Sequence, residues 1–176
     1  MGGTGLTQPI VTLSEAQAYV RIETGEEEAI LAGLIRTASA ICESFLNQAV
    51  ILRDFVLELR ASSSWSQVPV MPVQAISKVE LVSSEGVVSA LPAIGYAVDV
   101  DPGGGGWVRL TSNAGGRMRI SGTVGMAAGQ NDVPEPIRQG VLRLVAHLFA
   151  SRDGGSDAPP AAVTALWRPY RRMRLS

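Results

Sequence analysis

The hydrophobic pattern of the chain changes its period twice, and this limits the folds that the sequence can adopt. Apolar residues recur at three- and four-residue steps in 13–46, alternate with polar residues in much of 50–125, and return to helical steps in 133–152. Helical steps place apolar side chains on one face of a helix, and alternation places them on one face of a strand. The sequence therefore predicts an α+β fold: a helical core of two N-terminal helices plus a long C-terminal helix, with an inserted antiparallel β meander and an extended C-terminal tail.

Two helices are predicted in the N-terminal part, at 13–20 and 26–46. The first begins with a capping box, in which the side chains of Thr12 and Glu15 each accept a hydrogen bond from the other residue's backbone N–H. The second begins with acidic side chains, which the positive end of the helix dipole stabilises. These residues are Glu26, Glu27 and Glu28. Cys42 falls on the apolar face of the second helix, so we expect its thiol in the core.

The alternating region predicts about six short strands joined by turns. Pro69 and Pro72 interrupt one extended piece, which restricts it to the edge of a sheet because proline donates no hydrogen bond. Residues 103–106 are four consecutive glycines. They predict a flexible hairpin tip rather than a phosphate site, because no helix N-terminus follows them.

The C-terminal end combines aromatic and basic residues in an unusual way. After the helix at 133–152 and a linker at 153–160, the last residues mix Trp167, Tyr170 and Met173 with four arginines. Four arginines are too many charges for a buried core segment, and a tryptophan and a tyrosine are unusual in a solvated tail. Such a mixture is typical of a protein-interface hot spot, although binding to nucleic acid and a tail with no partner remain alternatives. We expect a docking segment whose removal (166–176) leaves a folded subunit.

Composition excludes several classes of protein. With 46% hydrophobic residues and a formal charge of -1, the chain of 176 residues is neither disordered nor a general polyanion binder. Its single cysteine excludes an internal disulfide and fits a reducing compartment. The formal charge is unevenly distributed, with -4 over residues 1–46 and +5 from residue 138 onward. One interpretation is that opposite ends of neighbouring copies contact each other. The other is that both ends are ordinary solvated faces.

The sequence is poor in catalytic residues, and we expect no enzyme, no cofactor and no metal. His147 is the one histidine, and Lys78 is the one lysine and stands outside any phosphate-binding loop motif. Asp99 and Asp101 share one side of a strand but border a turn, where aspartate is favoured for structural reasons. We also expect no membrane partner and no signal peptide, because no apolar run near ~18 residues is evident.

Several stretches together resemble a known family, the head–tail connector (adaptor) proteins of long-tailed bacteriophages, prophages and gene transfer agents, often labelled DNA-packaging proteins. The resemblance covers the chain from residue 11 onward. The stretches that carry it are VTLSEAQAYVRI (11–22), LAGLIRTASAICESFLNQAV (31–50), VPVMPVQAISKVELVSSEG (68–86), VPEPIRQGVLRLVAHLFASRD (133–153) and ALWRPYRRMR (165–174). The glycine run at 103–106 is longer than the family pattern leads us to expect.

The resemblance implies a structural protein of the virion, made in the bacterial host cytoplasm and placed at the head–tail junction. Such proteins form a homo-oligomeric ring, usually a dodecamer, between the portal protein and a stopper or tail-terminator protein. DNA passes through the ring without sequence-specific binding. The alternative is a small nucleic-acid-binding protein that acts in DNA packaging.

Carried onto this chain, the resemblance divides it into a flexible N-terminus (1–10), a single α+β adaptor domain (11–152, with the β insertion at about 50–125), the linker (153–160) and a portal-docking segment (161–176). The implied portal-binding residues are Leu166, Trp167, Arg168, Pro169, Tyr170, Arg171, Arg172, Met173 and Arg174. Glu26, Glu27 and Glu28 are candidates to line the channel, since like charge lets DNA slide.

Overall fold

The computed structural model describes residues 8–22, 25, 27–112, 115–151 and 158–172, and these form two compact units. Among the described residues, a strand unit comprises 52–126, and a helical unit combines 8–51 with 127–151 and 158–172. The predicted α+β class is confirmed. The β insertion is a compact unit of its own, and the residues after 157, which the sequence set apart as a docking segment, belong to the helical unit.

The described residues of the helical unit form four helices. They are α1 (Leu13–Val20), α2 (Glu28–Leu46), α3 (Glu135–Ala150) and α4 (Ala161–Trp167), and a 3₁₀ turn (Arg168–Tyr170) follows α4. The predicted capping box is present: Thr12 Oγ1 accepts from the backbone N–H of Glu15 at 3.2 Å, and Glu15 Oε2 accepts from that of Thr12 at 2.8 Å. Asn47 ends α2 with a φ of 55°, a conformation that asparagine tolerates well.

The core of the helical unit lies between α2 and α3. The buried apolar residues of α2 are Leu31, Ile35, Ala38, Cys42 and Leu46, and those of α3 include Ile137, Val141, Leu144, Val145 and Leu148. Cys42 is in the core as predicted, and burial raises the pKa of its thiol far above the ordinary range. Ile10, which the sequence placed in a flexible terminus, is fully buried, and its N–H donates to Ser39 Oγ at 3.1 Å.

Helix α2 is long and apolar enough, by length and composition, to cross a membrane. A buried core helix meets the same criterion, and α2 packs against α1, α3 and α4 within this unit. The sequence interpretation that no apolar run approaches this length is therefore corrected. Within the most apolar window of α2, 33% is buried, and Ile30 on this helix is 49% exposed.

The described part of the strand unit contains seven strands. They are β1 (Arg53–Arg60), β2 (Ser66–Gln67), β3 (Val73–Val82), β4 (Val88–Ala90), β5 (Tyr96–Val100), β6 (Gly106–Leu110) and β7 (Arg117–Val124). One sheet has the order β1-β7-β3-β4 and the other β2-β6-β5, and all pairings between these strands are antiparallel. The β3–β4 and β5–β6 pairs join consecutive strands, as a meander does. The pairing of β7 with β1 and β3 is long-range, which alternation alone does not predict.

Gly122 on β7 permits the closest packing of the four-stranded sheet. A Cβ built at this position would lie 2.9 Å from the ring of Phe55 and would also collide with the carbonyl oxygen of Ala75. The pairing of β3 with β7 is irregular here, with register shifts near Ala75. Glycine therefore lets the Phe55 ring and the irregular part of β3 share this space.

The glycine-rich hairpin tip between β5 and β6 is held by specific contacts, in contrast with the flexible tip that the sequence predicts. Gly104 has a φ of 80° and lies so near Pro72 that a Cβ would be 2.5 Å from the proline Cβ. The backbone N–H of Val73 donates to Gly104 O at 2.8 Å, and Gly105 N–H donates to Asp101 Oδ1 at 2.9 Å. Gly104 lets the hairpin tip approach Pro72 closely, and a Cβ at Gly105 would collide with the carboxylate of Asp101.

We expect Gly122→Ala to lower the free energy of unfolding by about 1–3 kcal/mol, because the added methyl group overpacks the sheet. Gly33→Ala is the matched control: it lies inside α2, and the nearest atom to its Cβ would be 3.9 Å away. Alanine there should stabilise the protein by about 0.5–1 kcal/mol through helix propensity. Urea denaturation measures both values. Equal effects of the two substitutions would contradict the packing described for Gly122.

Glu15 connects α1 to α3, since its Oε1 accepts a hydrogen bond from Arg138 Nη2. Partial burial acts to raise the pKa of the Glu15 carboxyl, but hydrogen bonds from Thr12 and the guanidinium of Arg138 more than offset this effect. The pKa therefore lies below its ordinary value of 4.5. A carboxyl whose pKa is lower in the folded state stabilises the fold above its unfolded pKa and loses that contribution in acid.

The Glu15→Gln variant should therefore be less stable than the original protein at neutral pH, and the difference should shrink as the pH falls below 4.5. Urea denaturation at a series of pH values between 3 and 7 measures the two free energies of unfolding. A difference that stays constant across this range would show that ionisation of Glu15 does not contribute.

Candidate interaction surface

The sequence singled out the C-terminal segment from Leu166 to Arg174, which the structure describes as far as Arg172. The structure places its tryptophan in the core. Trp167 is fully buried, and its indole lies over Gly140 of α3, where a Cβ would be 2.7 Å from the ring atom Cε2. The indole Nε1–H donates to the carbonyl oxygen of Ile137 at 3.2 Å. Only glycine at position 140 leaves room for this ring.

Contacts with the C-terminal end of α2 hold the residues that follow Trp167. Gln48 Nε2 donates to Tyr170 O at 2.5 Å, and the backbone N–H of Arg172 donates to Leu46 O at 3.0 Å. The Leu46 carbonyl belongs to the last turn of α2, where carbonyl groups have no partner inside the helix. The guanidinium of Arg171 lies 5.4 Å from the centre of the Phe45 ring, within the range of a cation–π interaction.

The sequence-predicted contact residues that the structure describes differ in their exposure. Arg168, Pro169, Arg171 and Arg172 are exposed, and Leu166 and Tyr170 are half-buried. Trp167 is not available to a partner, and Met173 and Arg174 lie outside the described residues. The spacing of Val163 and Trp167 could have indicated this burial. Residues four apart lie on the same face of a helix, and both side chains are buried.

The expectation that residues 166–176 can be removed without loss of the fold therefore needs correction. Trp167 fills part of the helical core, and its ring centre lies 5.8 Å from that of Phe45. Removal of the segment would leave a cavity between α2 and α3, and such cavities cost several kcal/mol. Substitutions of the exposed arginines test the surface without touching the core.

Two of the three acidic residues suggested for the channel, Glu27 and Glu28, lie at the start of α2. Glu26 is outside the described residues, Glu27 is the N-cap residue of α2, and both Glu27 and Glu28 are half-buried. Glu28 Oε1 accepts a hydrogen bond from Gln17 Nε2 at 3.1 Å, so this carboxylate also connects α2 to α1. Their placement agrees with a role in stabilising the helix, and a channel role stays a prediction.

The described residues contain no group of three or more His, Cys, Asp or Glu side chains arranged to hold a metal ion. His147 is half-buried in the last turn of α3. Asp101 is engaged within the hairpin tip, where Oδ1 accepts from Gly105 N–H and Oδ2 from Trp107 Nε1 at 3.4 Å. These contacts give Asp101 a structural role.

The strand unit carries exposed apolar residues that the sequence interpretation missed. Ile94 is 85% exposed, and Val98 and Val100 are about 40% exposed although they share a face of the β5–β6 pair with the buried Val108. Alternation in the sequence predicts a covered face for both valines. The guanidinium of Arg109 also lies 5.0 Å from the ring centre of Trp65, which is 45% exposed.

Comparison with known proteins gives matches among solved structures. No protein-family profile matches the chain, and no curated protein matches its sequence. A chain from the neck of an empty gene transfer agent (GTA) particle, computed with C6 symmetry, is 27% identical and has a TM-score of 0.80; the match covers 100% of this chain and 97% of that chain.

Chains from the virion of a native GTA particle and from the neck of a native GTA particle, computed with C12 symmetry, each show 26% identity, a TM-score of 0.78 and the same coverage. The similarity thus extends over both units and nearly the whole length of the similar chains. It supports a structural component of the neck of a phage or GTA virion.

We expect Trp167→Ala to lower the free energy of unfolding by about 3–5 kcal/mol, because it opens a cavity over Gly140. Arg168→Ala, at the exposed neighbouring position, should change it by less than about 0.5 kcal/mol. Chemical denaturation of the two variants measures this difference. A loss below about 1 kcal/mol for Trp167→Ala would contradict the burial of its ring.

Proposed function

We propose that this protein is a head–tail adaptor that forms a ring beneath the portal of a tailed phage or gene transfer agent. The observation that carries the proposal is the full-length similarity to chains of GTA necks with C6 and C12 symmetry. The ring links the portal to a stopper or tail-terminator protein and continues the channel through which DNA passes. Twelve copies is the stoichiometry that the family resemblance favours.

The portal contact is assigned to the arginine surface, defined as Arg168, Arg171 and Arg172. These residues are exposed on a segment whose backbone and tryptophan are held by α2 and α3. Because the segment is already ordered, binding immobilises fewer groups and loses less conformational entropy. The partner surface that fits is acidic, since arginine forms its strongest contacts with carboxylates.

Each subunit alone would bind the portal weakly through so small a surface. Exposed ion pairs contribute about 0.2–1 kcal/mol each. A ring that presents one arginine surface per copy makes later contacts intramolecular, and the total affinity then rises by orders of magnitude. Ring formation and portal attachment therefore support each other.

A nucleic-acid-binding protein is the alternative, and the structure gives it less support. That interpretation needs Trp167 and Tyr170 to stack on bases, as aromatic residues do in single-strand-binding proteins. The ring of Trp167 is fully buried, and Tyr170 is half-buried. The exposed arginines remain able to contact phosphate groups, so the experiment below includes DNA.

The double variant Arg168→Glu/Arg172→Glu should bind purified portal at least about tenfold more weakly, because reversed charges repel an acidic partner surface. The matched control is Arg36→Glu/Arg143→Glu, which makes the same change in charge at two exposed positions of the helical unit. Binding to immobilised portal is measured at several salt concentrations, with circular dichroism as a check of folding.

Equal binding of the two double variants would contradict the assignment of the arginine surface. Binding of the unaltered protein to DNA at low salt, with a steep salt dependence and no binding to portal, would favour the alternative function. Failure of the unaltered protein both to form rings and to bind portal would contradict the adaptor proposal itself.

A further inference from the structure

A pocket with a volume of about 200 Å³ opens on the surface of the helical unit. The chain before α1, the start of α1 and the middle of α2 form its walls. Drug-sized ligands fill pockets of roughly 300–1,000 Å³, whereas a cavity of about 150 Å³ already holds benzene. The pocket therefore has the size of one large apolar side chain. Its apolar lining residues are Pro9, Val11, Leu13, Ala32 and Ile35.

Hydrogen bonds hold the wall before α1 in place. Gln130 Nε2 donates to Pro9 O at 2.7 Å, and the backbone N–H of Ile10 donates to Ser39 Oγ on α2 at 3.1 Å. These bonds tie the segment to the loop before α3 and to α2. A pocket that is formed before binding costs its ligand less conformational entropy.

Arg36 gives the pocket a positive charge. Among the described residues that line the pocket it is the charged one, and it is exposed on α2. The ion pairs of the described residues are formed by Lys78, Arg117, Arg119 and Arg138 rather than by Arg36. Arginine forms its strongest contacts with carboxylates. The complement of this pocket is therefore an apolar group next to a carboxylate.

Two acidic residues lie close in sequence to the pocket lining, and both have partners of their own. Glu15 Oε1 accepts a hydrogen bond from Arg138 Nη2. Asp132 Oδ2 accepts one from the backbone N–H of Gly129 at 3.0 Å. These contacts balance or engage both carboxylates, so the guanidinium of Arg36 is left for a ligand.

A polypeptide segment supplies the two groups that the pocket requires. One apolar side chain fills the pocket, and an aspartate or glutamate beside it reaches Arg36. Side chains that fill a pocket in this way carry much of the binding energy of protein interfaces. DNA offers phosphate groups for the arginine, but it has no side chain that enters an apolar pocket.

We propose that this pocket binds an apolar side chain of a partner protein, next to an acidic residue whose carboxylate pairs with Arg36. In the adaptor ring, this partner is the stopper or tail-terminator protein. The choice of partner rests on the proposed function, which gives the portal the arginine surface and leaves the tail-side protein without an assigned contact.

The chemistry of the pocket is tested with N-acetyl-L-leucine, which combines an apolar side chain with a carboxylate. Titrated into the full-length protein, it should shift the NMR signals of Leu13 and Ala32 with a Kd on the order of millimolar, as expected for so small a ligand. N-acetyl-L-leucinamide lacks the charge and should bind about two- to fivefold more weakly. Arg36→Gln should remove this difference.

The matched control is Arg143→Gln, at an exposed position of α3 outside the pocket lining, which should keep the preference for the carboxylate. Equal Kd values of the unaltered protein for the two leucine derivatives would overturn the proposal. So would the absence of a saturable shift at the lining residues.

The partner is tested with Ala32→Leu, whose larger side chain fills the pocket from within. This variant should bind purified tail-side protein at least about tenfold more weakly and bind portal as before. Ala40→Leu makes the same change at an exposed position of α2 outside the pocket lining and should bind both normally. Circular dichroism checks folding, and Arg36→Gln, at an exposed position, should weaken the same contact about two- to fivefold.

The outcomes separate this inference from the adaptor function. Normal binding of the tail-side protein by both Arg36→Gln and a folded Ala32→Leu variant would overturn the inference and leave the adaptor function intact. A loss of portal binding in its place would show that the portal occupies the pocket and would overturn the assigned partner. An unaltered protein that binds neither portal nor tail-side protein would overturn both.

Discussion

The packing of Trp167 on Gly140 determines how the C-terminal part of the molecule is built. The indole closes the space between α2 and α3, and its N–H donates to the carbonyl of Ile137. Because α4 is only seven residues long, it is too short to be a stable helix alone, and this contact fixes its position. The exposed arginines that follow then have defined places on the surface.

This arrangement explains how one segment combines the composition of a core with that of a binding surface. Trp167 faces the helical core, whereas Arg168 and Arg172 face away from it. Arg171 does both: its guanidinium lies over the Phe45 ring, and the residue remains exposed. The aromatic residue fixes the position of the segment, and under the proposed function the basic residues supply the charge that a partner recognises.

The parts of the fold that depend on local patterns could be predicted from the sequence. The bounds of α1 and its capping box agree with the prediction because the cap residues and apolar spacing are local features. The pairing of β7 with both β1 and β3 could not be predicted, since alternation shows which face is apolar but not which strands meet. The irregular register of β3 near Ala75 depends on the same long-range contacts.

The candidate surface could be predicted only in part, because the sequence does not show which of its side chains contact the protein's own core. Composition indicated that the C-terminal segment carries contacts, but it could not show that Trp167 contacts its own core. Val98 and Val100 follow the pattern of a covered strand, yet the fold provides nothing to cover them fully. A sequence pattern records which side chains are apolar, and it does not distinguish burial within a subunit from burial between subunits.

The buried thiol of Cys42 has a consequence for an assembly of many identical copies. A surface thiol repeated around a symmetric particle would meet its own counterparts, and oxidation would then join subunits covalently in arrangements unrelated to the native one. The apolar surroundings of Cys42 keep its thiol protonated and out of contact with other molecules. In the proposed ring, Cys42 therefore offers no accessible thiol through which oxidation could join neighbouring subunits covalently.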